Sequence, residues 1–202
     1  MATSKDLKRK ILTEALNLVP IYGWSEELLK NAEDAAAAQN VFVSIKDLVE
    51  YHLEQNDELL QKKLDKLDPK KLKVRERIKQ ALLFRFELHD KEIIKETIKF
   101  LMHPKNADLA FASLASTCDK IWIWAGDEST DFNYYTKRTL LGAVYSTSLA
   151  YYLKKDEKDE ITKEKLETFI DKRISEVLRL GDMKATVKRS FGVIRDWIST
   201  KS

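Results

Sequence analysis

Three histidines, His52, His89 and His103, are the first candidates for metal or acid–base chemistry in this 202-residue chain. None has another histidine four residues before it, and the residues three before are Val49, Phe86 and Phe100. A helical zinc site or a Glu-x-x-His di-iron site is therefore not written in the spacing. No Gly-rich phosphate loop and no Gly-x-Ser-x-Gly nucleophile elbow occurs. Asp127, Glu128 and Asp131 carry enough negative charge for a cation, but Ser129, Thr130 and Asp131 equally suit the start of a helix, where short polar side chains cap free N–H groups. The single cysteine, Cys118, lies in an apolar stretch and reads as a buried structural thiol. One cysteine cannot form a disulfide within the chain, so a reducing compartment is expected. These residues give no ground for calling the protein an enzyme.

The elements that must position any site are helical. Hydrophobic residues make up 44% and charged residues 34%, with five Gly and three Pro, which favours long solvated helices around a sizeable core. No stretch is apolar for long enough to span a bilayer, and residues 1–10 have neither a signal-peptide core nor transit character. The first helix carries Leu7, Ile11, Ala15, Leu18 and Val19 as an inward stripe and ends near Tyr22-Gly23. Ser25 caps a second helix to about residue 38, and a short third one covers 40–43. Further helices are expected over about 46–67, 70–89, 91–102, 106–126, 131–154, 162–180 and 182–200, ten in all.

The charge balance singles out the last of these. Residues 181–202 hold Lys184, Lys188, Arg189, Arg195 and Lys201 against Asp182 and Asp196, and this excess equals the whole chain's net charge of +3. At about 100° per residue, Met183, Val187, Phe191, Ile194, Trp197 and Ile198 fall in one arc of roughly 120°. Lys184, Lys188 and Arg195 border that arc. A helix of this kind can lie in the bilayer interface, with its cations near lipid phosphates. The same stripe also suits ordinary packing on a core.

The opening layout of one helix, a turn and two short helices is similar to the DNA-binding head of TetR-type regulators. The residues argue against nucleic acid. Between 25 and 45, Glu26, Glu27, Glu33 and Asp34 face only Lys30, and Ala35 to Ala38 are featureless, so phosphate anchors are lacking. A TetR-like transcriptional regulator with a small-molecule pocket remains the alternative reading of the whole chain.

Residues 119–138 carry a long and specific resemblance. Trp122, Ala125-Gly126-Asp127, Ser129-Thr130-Asp131-Phe132-Asn133, Tyr134, Tyr135-Thr136 and Lys137-Arg138 resemble the signature of the coenzyme Q protein nine family. The opening Ile11-Leu12 through Val19-Pro20 with Gly23-Trp24, the turn Met102-His103-Pro104-Lys105-Asn106 and Leu180-Gly181 extend the likeness along most of the chain.

The resemblance implies an all-α, TetR-like helical bundle of about ten helices, with a degenerate helix-turn-helix head over residues 1–48. A lipid-binding and dimerisation body would cover 49–180, and the terminal amphipathic helix 181–202. It implies a homodimer without a cofactor that binds an isoprenoid quinone intermediate of ubiquinone synthesis and presents it to the di-iron demethoxyubiquinone hydroxylase. Because the chain as written shows no transit segment, the cytoplasmic face of a bacterial inner membrane is the preferred setting; the matrix side of the mitochondrial inner membrane is the eukaryotic one. The family's hydroxylase-facing patch carries over to Leu109, Asp119, Trp122 and Ile123. On a helical wheel, Phe111, Leu114, Ala115, Cys118, Ile121, Trp122 and Ala125 share the side nearer the core, with Leu109, Ala112, Ser116 and Ile123 opposite as a surface for a partner. Phe111, Leu114, Cys118, Phe132, Tyr135 and Ala143 are the expected lipid contacts, and Tyr134, Tyr135, Tyr151 and Tyr152 offer polar tips to a quinone head. Gly142, Ser146 and Ala150, four apart, suit either a dimer contact or a lipid slot.

Overall fold

A computed structural model describes residues 3–154 and 161–179. Among these the chain is all helical: α1 (Ser4–Tyr22), α2 (Glu26–Ala35), α3 (Ile45–Leu64), α4 (Val74–Phe86), α5 (Lys91–Leu101), α6 (Ala107–Trp124), α7 (Phe132–Leu153) and α8 (163–179), with 3-10 turns at Pro69–Lys71 and Pro104–Asn106. Of the ten expected helices, the terminal one lies outside the described residues, together with the membrane contacts assigned to it. The short one at 40–43 is not formed.

Local sequence explains the ends. Thr3 and Asp6 form a reciprocal capping box on α1. Gly23, at φ 58° and ψ −173°, takes a backbone conformation reserved for glycine and ends α1, its N–H on Val19 O. Ser25 and Ser44 accept hydrogen bonds from Leu28 N and Asp47 N and so start α2 and α3.

The loop in place of the helix expected at 40–43 is held from within. Glu33, buried near the end of α2, accepts hydrogen bonds from the backbone N–H groups of Asn40, Val41 and Phe42 at 3.2, 2.9 and 3.3 Å. Glu26 accepts another from Ile45 N at 3.2 Å. Ala37 and Asn40 take positive φ of 51° and 57°, which turns successive N–H groups inward. The segment between α2 and α3 is thus a loop wound on a carboxylate, where an irregular polar backbone finds its partners without helix formation.

The chain divides into two compact units, Met1–Thr139 and Leu140–Ser202. In the first, Ile11, Ala15 and Val19 of α1 pack with Leu28 and Ala32 of α2, Leu48, Val49 and Leu53 of α3, and Leu109 of α6. The head at 1–48 therefore shares its core with the rest of α3 and with α6. Farther along α3, Leu60 and Leu64 are buried, as are Ile78, Leu82 and Phe86 of α4 and Cys118, Ile121 and Ala125 of α6. The buried Asp57 ties α3 to α6 by accepting from Ser116 Oγ (2.9 Å), Thr117 Oγ1 (2.7 Å) and Lys120 Nζ (2.9 Å). In the second unit, Tyr151 of α7 stacks on Phe169 of α8 with ring centres 4.1 Å apart. Gly142 is buried there whereas Ser146 and Ala150 are exposed.

Candidate functional site, the junction of α6 and α7

The signature segment folds into a charge-locked turn. Asp127, in the turn after α6, has its carboxylate buried beneath Lys137 (2.5 Å) and Arg138 (3.0 Å), with Ser129 Oγ at 2.8 Å. Burial alone would raise its carboxyl above the usual range, but the hydrogen bonds from Lys137, Ser129 and Arg138 outweigh it and hold the group at about 2. Arg138 also reaches Asp119 on α6 through Nε at 2.7 Å, and Tyr134 OH donates to the same carboxylate oxygen at 3.0 Å. Burial works against the charge of Arg138, and Asp119 and Asp127 prevail, raising its pKa. Trp122 Nε1 donates to Lys137 O at 3.0 Å, while the Lys137 ammonium lies 5.6 Å from the Trp122 ring centre. Asp131 accepts from Asn133 N at 2.9 Å, the capping role read from the sequence.

This network leaves no anionic cluster for a cation. Asp127 is already neutralised by two basic side chains, and no group of three or more His, Cys, Asp or Glu among the described residues could hold a metal. Cys118 is buried and its thiol is pushed up to about 12, first by burial and then by Asp57, so it is not a nucleophile at neutral pH. His103 is exposed, and its Nδ1 accepts from Lys105 N at 3.3 Å.

The other two histidines meet. His52 and His89 lie with ring centres 5.0 Å apart, and Asn56 bridges them at 3.1 and 2.6 Å from their Nε2 atoms. Trp24 packs on the His52 ring at 5.1 Å and donates to Thr97 Oγ1 at 3.0 Å. Burial first, then each other's charge and that of Arg85, drive the His52 pKa well below the usual range; burial and Arg85 hold His89 at about 4 despite Asp90. Both rings are neutral at pH 7. Nothing in their spacing of 37 residues announced the pair; it exists because α3 and the turn after α4 converge on Trp24.

The exposed surface around this junction is apolar at several points. Phe111 is 77% exposed and Ile123 61% on α6, and Phe132 is 81% and Tyr135 69% exposed at the start of α7. Ala112 and Ala115 are exposed as well. The helical wheel needs correction here. Leu109, expected opposite the core, is 7% exposed inside the head cluster, whereas Phe111, expected on the core side, points to solvent. The inward face of α6 shifts around the helix as its neighbours change along its length, and a single 100° projection averages that away. Of the expected lipid contacts, Cys118 is buried and Leu114 half-buried, while Phe111, Phe132, Tyr135 and, in the second unit, Ala143 are exposed. Of the expected partner contacts, Ile123 is open, Leu109 is covered, and Asp119 and Trp122 are half-buried with their polar atoms engaged by α7.

The COQ9 family model matches residues 107–181, the stretch that begins at α6. The chain is 30% identical over 194 residues to ubiquinone biosynthesis protein COQ9-A, mitochondrial, of Xenopus laevis, covering 89% of this chain and 60% of that protein. It is 26% identical over 200 residues to ubiquinone biosynthesis protein COQ9, mitochondrial, of Homo sapiens, covering 92% and 62%. With the probable ubiquinone biosynthesis protein coq9, mitochondrial, of Dictyostelium discoideum it shares 27% identity over 207 residues, covering 93% and 65%. The chain thus spans about three fifths of the length of these relatives.

Proposed function

This chain belongs to the COQ9 family, and on that premise we propose that it serves ubiquinone biosynthesis as a lipid-binding accessory protein. It binds an isoprenoid quinone intermediate at a membrane surface and presents it to the di-iron demethoxyubiquinone hydroxylase, as a homodimer and without a bond-making step of its own. Its place is peripheral, on the cytoplasmic face of a bacterial inner membrane or the matrix side of the mitochondrial one. No helix among the described residues is long and apolar enough to cross a membrane, which accords with peripheral attachment.

One observation carries the reading. The junction of α6 and α7 is fastened by buried charge, yet Phe111, Ile123, Phe132 and Tyr135 around it stay in solvent. Large apolar side chains on a rigid scaffold suit a partner or a lipid tail. Placing such surface in water is unfavourable by about 25 cal/mol per Å² relative to covering it, so a quinone tail or a protein partner gains by docking there.

The test has two readouts on the full chain. Protein purified from cells that make ubiquinone is extracted and its lipids weighed by mass spectrometry; a co-purified isoprenoid quinone is expected. The hydroxylase is then captured on immobilised protein, and Ile123→Asp with Phe132→Asp is expected to abolish capture. A lipid-free protein whose double variant still captures the hydroxylase sinks the proposal.

A further inference from the structure

Residues 62–79 hold nine basic residues (Lys62, Lys63, Lys66, Lys70, Lys71, Lys73, Arg75, Arg77 and Lys79) against Asp65, Asp68 and Glu76. That is a net of +6 in a chain whose total is +3, so positive charge is concentrated at this corner as well as in residues 181–202. The corner joins the last turn of α3 to the first turn of α4 through the 3-10 turn Pro69–Lys71.

Its three carboxylates are occupied without serving these lysines. Asp65 accepts from Gln61 Nε2 at 2.6 Å, Asp68 from Lys70 N at 3.0 Å and Glu76 from Lys73 N at 2.9 Å. Lys62, Lys66, Lys70, Lys71 and Lys73 are exposed, and among the described residues no ion pair takes up the ammonium groups of Lys62, Lys66, Lys70 or Lys71. Val74 is exposed beside them, with Leu67 and Leu72 half-buried. The corner is anchored. Arg77 turns inward and donates to Leu72 O at 2.9 Å and to Ala125 O, at the end of α6, at 2.6 Å.

We propose that the α3–α4 corner is a membrane contact in its own right, in which Lys62, Lys66, Lys70 and Lys71 meet the phosphates of an anionic bilayer and Val74 reaches its interface. Three features favour lipid. Seven of the nine cations are Lys, which is depleted from protein interfaces, where Arg is enriched. A compact, strongly hydrated ammonium suits many loosely placed phosphates, whereas a guanidinium suits one bidentate partner. The segment has no aromatic residue on which a nucleobase could stack and no Asn, Gln, Ser or Thr to read a base edge. This contact lies in the first compact unit and does not depend on residues 181–202. It rests on the proposed function only in taking a membrane as the workplace.

The experiment is vesicle sedimentation of the full chain at moderate salt. Phosphatidylcholine vesicles are compared with vesicles that also contain phosphatidylglycerol. Each lysine near an anionic surface is worth about 1 kcal/mol, so Lys66→Gln with Lys70→Gln and Lys71→Gln is expected to weaken binding to the anionic vesicles on the order of a hundredfold. Binding to neutral vesicles stays as it was, and circular dichroism matches the parent. A triple variant that binds anionic vesicles like the parent overturns the corner, as does a parent that does not distinguish the two vesicle types. If the variant loses duplex DNA instead and keeps the vesicles, the corner is a nucleic-acid surface and the proposal falls. Phe191→Asp with Ile194→Asp supplies the independent arm: loss of vesicle binding there, with the lysine variant unaffected, assigns all attachment to the terminal segment and also overturns the corner. Lysine-dependent binding that survives when no quinone and no hydroxylase are captured removes the proposed function and leaves the corner standing.

Discussion

Arg138 Nη1 lies 3.0 Å from Asp127 Oδ2, so the last residue of the signature segment is bound back to the turn that precedes its own helix. The carboxylate is buried and the guanidinium nearly so, and Asp119 on α6 shares that guanidinium at 2.7 Å. A link of this kind ties the first turns of α7 to the last turns of α6. It thereby fixes where Ile123, Phe132 and Tyr135 stand, since two of them occupy the first turn of α7.

Breaking the link by one partner is expected to be severe. Arg138→Met leaves Asp127 with Lys137 as its one charged partner beside Ser129 and should lower stability by about 3 kcal/mol, read as a shift in the urea midpoint. Asp127→Asn with Arg138→Met should cost less than the two single changes added together, because the second removes the charge that the first stranded. Strict additivity would show that the two groups do not act on each other.

Acid should loosen the fold in the window set by the histidines. His52 and His89 are neutral in the folded chain, with His89 held at about 4, whereas unfolded histidine titrates near its ordinary 6.5. Between those values the unfolded chain binds more protons, so stability rises with pH there and falls as pH drops from 6.5 toward 4. Urea midpoints at pH 7, 5.5 and 4.5 should decrease in that order, and the slope should shrink in His89→Gln. Below about 4 the buried Asp127 adds a loss of its own as pH falls toward 2, because its folded pKa is depressed.

Glu33→Ala should strand the N–H groups of Asn40, Val41 and Phe42. Unsatisfied buried donors cost about 1–3 kcal/mol each before water enters, so a net loss of about 3 kcal/mol is expected. Hydrogen exchange at those three amides should accelerate well beyond the rest of the head. Unchanged exchange at Val41 would refute the carboxylate's role.

Gly126 has φ +85°, and a Cβ placed there would lie 3.3 Å from Arg77 Nη1. Gly126→Ala must therefore strain the backbone and press on the side chain that joins α4 to the end of α6. A loss of about 1–2 kcal/mol in thermal unfolding is expected; a neutral effect would mean that the turn can adopt another conformation.

Helix ends were legible because they are decided locally. Ser25 announces α2, Gly23 closes α1, and Asp68-Pro69 breaks the chain after α3. The loop found at 40–43 is held by Glu33, which lies outside any window of that length. The signature residues were visible as a string, but their task was not. Asp119 reads from sequence as a contact for another protein, and only the fold shows Tyr134 and Arg138 converging on it from 15 and 19 positions away. Leu109 and Phe111 exchanged roles because helix neighbours are tertiary facts. Ile123 and Phe132 keep their exposure because nothing in the described chain covers them.

The carboxylate-wound loop also constrains what this head can become. The amides of Asn40, Val41 and Phe42 are the N–H groups that the first turn of a helix starting there would leave unpaired, and Glu33 already serves them. A buried carboxylate thus occupies the end of the segment where an anion would otherwise dock. Adding basic residues to the surface alone would therefore leave that end blocked from inside, and the glutamate would have to go before the head could grip a phosphate backbone.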